Sequence, residues 1–391
     1  MSTLIEKLSA FFDAFQTIIG ISEIHLRNMV ERQRNNLLSA MNLLKEIKER
    51  RGLIHIAGMG RSKLAAMIIG ELLKNLGYQV SVIGDFLSKP VREGDIVLAV
   101  SSSGWTTTTC LIVEEAVKRG ARIIALTATP GSKLDRLADV SLYLPGKPII
   151  DDTSYIIRQI LGRHKTPLTP MGTIPETNAI LVGMGIIGML GNEGEPVKMF
   201  EDTISTVLKN TKESFNKILD RTMELEKIIE ALSTSMSPGG PKVYLIGTGI
   251  GKIISLMGAM RFQHLGLNVA SIDDWKFRNE NDTLIAISSS GESAITLLYA
   301  EEAKRTGMKL IALSANPEST LIKISDHKLL LSDISERKEY VQFRVFDDVP
   351  SRFIPAFEYA ALITLEGIVA QIAENFLIKE EDMRRMHANI E

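Results

Sequence analysis

A chain of 391 residues with 45% apolar and 24% charged side chains and a net charge of −2 has room for two domains or one duplicated domain, and its charge gives no reason to expect nucleic acid as a partner. A single cysteine, Cys110, excludes an internal disulfide, and six scattered histidines without cysteine partners give no zinc-ligand spacing; neither a metal nor a cofactor is expected. Charges at Glu6, Lys7 and Asp13 interrupt the apolar N-terminus and argue against a secretory signal, while the longest apolar run, Ala179 to Leu190, is too short to span a bilayer. A cytoplasmic protein away from the membrane is expected.

In chain order, residues 3–50 read as two helices, the second rich in Arg, Lys and Glu and expected to be solvated on one face. The apolar β-branched runs Ile54–Ala57, Val80–Ile83, Ile96–Val100 and Ile123–Leu126 then alternate with the amphipathic stretches Leu64–Leu76 and Cys110–Lys118. Unbroken apolar strands between helices predict a parallel sheet covered on both faces. After a charged helix at 201–233 and a linker-like Ser235–Pro241, the pattern returns: Leu53–Leu144 reads again from Val243 to Leu331, with IAGMGRSK answered by LIGTGIGK and IVLAVSSSGWTTTT by TLIAISSSGESAIT. The fold class is therefore α/β, with two doubly wound parallel sheets flanked by helices in domains 1–195 and 196–391, and ligands expected outside the carboxyl ends of the strands. The apolar helices 176–191 and 354–376 read as too hydrophobic to leave exposed, which predicts at least a homodimer.

Strand Ile96–Val100 ends in Ser101, Ser102, Ser103, Gly104, Trp105 and Thr106, and a helix follows. Such a turn aims backbone N–H groups, the positive helix end and several hydroxyls at one point, which makes an anion site. Ser288, Ser289, Ser290, Gly291, Glu292 and Ser293 repeat it. Ser and Thr also cap helices that bind nothing, but two copies with more hydroxyls than a cap needs favour phosphate. The earlier turns, with Gly58, Gly60, Arg61 and Ser62 in the first half and Gly247, Gly249 and Gly251 in the second, lack a full dinucleotide fingerprint. Their glycines let backbone approach a ligand. Arg61 is a candidate anion partner, whereas Ile250 in its place is not.

The strand–SSSGxT–helix pattern, the preceding Gly-x-Gly turn and the duplicated sandwich resemble the sugar isomerase (SIS) domain family over most of both halves. Within it, Pro170-Met171-Gly172-Thr173 with Glu176, and the terminal Arg385-Met386-His387-Ala388-Asn389, are similar to segments of the archaeal 6-phospho-3-hexuloisomerases. There one short chain carries both segments; here they are divided between the halves. Lys63 stands where that group tends to have a third glycine. The resemblance implies a phosphorylated sugar as ligand and isomerisation through an enediol, with His387 as an acid or ring opener.

Moving a carbonyl along a sugar requires a base for the proton on the neighbouring carbon, and a carboxylate among apolar residues suits that role. Glu176 opens an apolar helix, and its counterpart by spacing, Glu358, is set among Phe357, Tyr359 and Ala360 as a second-site acid or base. A helix-opening acid is also favourable without any catalysis. An aminosugar-phosphate isomerase or deaminase, and a non-catalytic sugar-phosphate sensor, are the alternatives. A sensor would normally bring a DNA-binding module, and the first 50 residues lack the basic excess for one.

Overall fold

The computed structural model of the chain describes residues 2–146, 172–237, 239–333, 344–346, 349–350 and 354–386. Helices α1 (Ser2–Lys7), α2 (Ser9–Arg32) and α3 (Arg34–Glu49) precede strands β1 (Leu53–Gly58), β2 (Gln79–Val82), β3 (Ile96–Val100), β4 (Arg122–Thr127) and β5 (Val140–Tyr143), which alternate with α4 (Gly60–Asn75), α5 (Thr107–Lys118) and α6 (Lys133–Leu137). Helices α7 (Thr173–Gly191), α8 (Pro196–Leu219) and α9 (Thr222–Ser233) lead into β6 (Val243–Ile246), α10 (Ile250–Leu265), β7 (Thr283–Ile287), α11 (Ala294–Arg305), β8 (Lys309–Ser314), α12 (Thr320–Ile324) and β9 (His327–Leu330). A short antiparallel pair, β10 (Arg344–Phe346) and β11 (Val349–Pro350), then α13 (Ala356–Asn375) and α14 (Glu380–Arg385) complete the described chain.

Both main sheets are parallel, in the orders β2-β1-β3-β4-β5 and β6-β7-β8-β9. The repeat fails at one edge. β2 pairs along β1, whereas the matching segment of the second half meets β6 only at a bridge between Val243 and Val269. Ser271 Oγ then accepts the N–H of Asp273 at 3.2 Å and the chain turns into a 3-10 helix over Ile272–Phe277. The charged helix expected at 201–233 is likewise two helices, the first opened by Pro196 with the Glu195 side chain accepting the N–H of Lys198 at 2.6 Å.

Each sheet packs its outer face on its own helices: Val97, Ala99 and Ile123 on Cys110 and Val113 in one half, Leu284 and Leu310 on Ala300 and Ala303 in the other. The inner faces share one core that runs through both halves. Here the helices cross over. α2 lies along α13 and α8 along α7, so the leading helix of each half covers the closing helix of the other. The contact is the same both times: a Cβ on Gly185 would stand 2.4 Å from the Phe200 ring, and one on Gly367 would stand 2.7 Å from the Phe11 ring. A second contact is repeated with its partners reversed, since Gly183 receives Ile69 from α4 while Gly258 of α10 receives Leu365.

This packing corrects the argument for association. α7 and α13 are each apolar enough to cross a membrane by composition, yet both are buried along nearly their whole length by helices of their own chain. They leave no apolar face that requires a second chain. Because the Gly185 contact has no room for a methyl, Gly185→Ala is expected to lower stability by roughly 1–3 kcal/mol. Adding Phe200→Leu should recover part of that loss in a denaturant-unfolding cycle, and strict additivity would show that the ring is not the obstacle.

Candidate functional site

In the first sheet the winding direction reverses between β1 and β3, so the crevice outside their carboxyl ends is where a ligand would lie. The turn Gly58-Met59-Gly60 forms one wall and the loop Ser101–Thr106 the other. A Cβ on Gly58 would stand 3.0 Å from the Lys63 backbone and 3.1 Å from the carbonyl oxygen of Val100. Only glycine lets the two turns come this close.

The loop is shaped by its own hydroxyls. Buried Ser101 accepts the N–H of Gly104 at 3.2 Å and lies 3.1 Å from Thr106 Oγ1, while exposed Ser103 accepts the N–H of Trp105 at 3.1 Å. Gly104 has φ +66°, and a Cβ there would fall 2.0 Å from Ser132 Oγ. The second half repeats every one of these contacts. Ser288 accepts from Gly291 at 3.1 Å and pairs with Ser293 at 3.2 Å, Ser290 accepts from Glu292 at 3.2 Å, and Gly291 has φ +66° against Ser319. Ser102 is half-buried like its counterpart Ser289, and Thr106 like Ser293. The first-turn N–H groups of α5 and α11 have no acceptor within their helices, so each loop presents them to the crevice as an anion cradle. Ser62 sits half-buried on the first turn of α4, and Thr248 Oγ1 joins the two turns of the second half through Ser293 Oγ at 3.4 Å.

Arg61 departs from its expected role. Its guanidinium is only 4% exposed and is used up by protein groups: Nε donates to Glu176 Oε2 at 2.7 Å, one Nη to the Met257 carbonyl at 2.7 Å, and the other Nη to Glu366. Arg261 of α10 closes the group, donating to Thr173 Oγ1 at 3.0 Å and lying 3.4 Å from both Glu176 Oε2 and Glu366 Oε2. Thr173 Oγ1 donates in turn to Glu366 at 2.9 Å. Two arginines and two glutamates, one of each from either half, thus form a neutral buried group between α4, α7, α10 and α13. Burial works against the charges, yet Glu366 and Glu176 keep Arg61 firmly protonated, and Arg61 and Arg261 hold the Glu366 carboxyl below its ordinary range. Arg261 is drawn below its own, by burial and by the charge of Arg61. Sequence reasoning missed Arg261 and Glu366; the available signal was a charge in mid-helix among apolar neighbours.

Glu358 has a different environment. It is half-buried at the head of α13 with Ile250 where Arg61 would be, and burial pushes its carboxyl up to about 7, with the negative charge of Asp333 adding to the rise. Asp333 also accepts from the Ser289 hydroxyl of the second loop. Glu292 of that loop accepts the N–H of Thr320 at 2.7 Å. Trp105 at the same place in the first loop is exposed, with the Arg136 guanidinium 5.9 Å from its ring. His387, His164, Pro170 and Met171 lie outside the described residues.

The SIS domain matches the chain over residues 46–160 and 239–341, more than half of its length and once in each half. An uncharacterized protein of Aeropyrum pernix is 36% identical over 147 residues, 37% of this chain and 68% of that protein. A 3-hexulose-6-phosphate isomerase of Mycobacterium gastri is 38% identical over 111 residues, 28% of this chain, which spans 56% of that enzyme's length. Among solved structures, the tagatose-6-phosphate ketose/aldose isomerase of Escherichia coli superposes with a TM-score of 0.61 over 93% of this chain and 95% of its own, at 13% identity, a likeness of fold. With two matched segments, each falling on a parallel sheet that ends in the same serine loop, the chain belongs to the SIS domain family.

Proposed function

We propose that the protein isomerises a phosphorylated sugar through an enediol intermediate. The observation that carries this reading is the serine cradle at the switch-point crevice, built twice with the same internal bonds. In the first half, residues 1–195, the phosphate rests on the first-turn N–H groups of α5 with the Ser103 and Thr106 hydroxyls, opposite Ser62. Glu176 reaches the head of α4 through its bond to Arg61, and takes the proton from the carbon beside the sugar carbonyl. Negative charge then develops on the enediolate oxygen. Passing the hydroxyl proton from one enediol oxygen to the other and returning the carbon-bound proton to the neighbouring carbon complete the shift. A 3-hexulose 6-phosphate is the first substrate to try, because the Mycobacterium gastri relative carries that name. The second half, residues 196–391, keeps the cradle but sets Asp333 on it and has Ile250 where the first half has Arg61, so its loop is the weaker anion site.

Three outcomes are expected. Ser103→Ala should weaken sugar-phosphate binding by about one to two decades, the worth of a hydrogen bond to a charged group at ~1.5–3 kcal/mol, and unchanged affinity by calorimetry would remove the loop from the site. Glu176→Gln should cut solvent deuterium exchange into the sugar by at least ~100-fold, the usual share of a general base, while binding persists. The third concerns Glu358. Its folded carboxyl keeps a proton that the unfolded chain releases, so between about pH 4.5 and 7 its contribution to stability falls as pH rises. Glu358→Gln should therefore raise stability at pH 8 by roughly 1–3 kcal/mol and do nothing at pH 4; a Tm gain equal at both values would contradict it.

A further inference from the structure

We infer that Arg261 and Glu366, both supplied by the second half, are positioning residues for Glu176 and hold the first half's base in place across the duplication. The inference rests on the reading of Glu176 as that base. The arrangement serves one glutamate of the two. Where the second half has Arg261 and Glu366, the repeat places Leu72 and Met184 in the first half, and neither can form the matching group around Glu358. Arg61 alone would neutralise Glu176. Instead its other Nη is drawn to Glu366, and Arg261 approaches the same Glu176 oxygen that Arg61 holds, so the carboxylate stands between two cations from opposite halves. Thr173, three residues before Glu176 on the first turn of α7, is bonded both to Arg261 and to Glu366. The head of the helix that carries the base is thereby fixed to the second half.

The charged groups around Glu176 are Arg61 from α4, Arg261 from α10 and Glu366 from α13, with Glu380 of α14 acting on Arg261 from beyond. No ion pair or hydrogen bond joins α2, α3 or α8 to Glu176 among the described residues; α8 meets α7 further along through Phe200 and Thr203. Removing one cation from this group leaves one negative charge in excess, and removing Glu366 leaves one positive.

The test uses that opposition of sign. Deuterium exchange into fructose 6-phosphate or a 3-hexulose 6-phosphate is followed against pH. The acid limb should move up by about one pH unit in Arg261→Met and down by a similar amount in Glu366→Gln, the scale set by a single neighbouring charge, and it should return in the double variant. Arg261→Lys, which keeps the charge, should leave it in place. A residue that only holds the fold would lower the rate without moving the limb in opposite directions. If Arg261→Met does not fold, Glu366→Gln against the double variant carries the same comparison. A second readout needs no turnover: the carboxyl carbon resonances of glutamate-labelled protein, with the Glu176 signal assigned by its loss in Glu176→Gln, should titrate in the same opposed directions. A Glu176 signal indifferent to both substitutions overturns the inference by itself. Exchange that persists in Glu176→Gln overturns the base, and the inference with it.

Discussion

The crossing of the helices is the constraint on which the rest of the molecule depends. A phenylalanine from the leading helix of each half sits over a glycine in the closing helix of the other, Phe11 on Gly367 and Phe200 on Gly185, at separations that admit no side chain. Dispersion and apolar burial at that distance hold α7 and α13 in the middle of the protein. Because both helices begin at the crevice ends of the sheets, the packing that buries their bodies also places their heads, with Glu176 on one and Glu358 on the other. The core is continuous through both halves for the same reason.

A charged group in this seam would be costly if any member were missing. Two arginines and two glutamates removed from water lose their hydration, and their mutual attraction repays that only where geometry is good and the remaining donors are bonded. Here Arg61 is bonded through all three nitrogens and Thr173 ties two members together. Such a group is better suited to fixing the relative setting of four helices than to adding net stability, since an apolar seam would slide where an ionic one has a single register. The divergence of the two glutamates goes with substitutions in the repeat, Arg61 against Ile250 first among them. Arginine at position 61 gives a carboxylate held in an ion pair, and isoleucine at 250 gives a carboxyl near neutrality in its titration.

Much of this was legible in the chain. The two sheets followed from apolar runs of strand length between amphipathic stretches, and the serine loops from the repeated SSSG, whose glycine is required by a positive φ and a serine at contact distance. What escaped was long-range. Apolar α7 and α13 signalled burial without saying by what, and the reading of an intersubunit face gave way to cover from α2 and α8 of the same chain. The role of Arg61 was misjudged because its partners lie 115 and 305 residues away. The missing edge strand after α10 escaped for the opposite reason: the run LGLNVASI matches LGYQVSVI, and the chain enters a 3-10 helix at its end.

The crossing also sets an order of events during synthesis. The buried N–H of Phe11 is bonded to the side chain of Gln371, 360 residues later. At a typical elongation rate of about 5–20 residues per second, α2 is made roughly 20–70 s before the helix it covers exists. Through that interval the apolar face of α2 lacks its final partner, while α7 and α8, adjacent in sequence, can already meet. Helix α13 is thus the one that lets α2 find its place, and the closing of the core waits until α13 has been made.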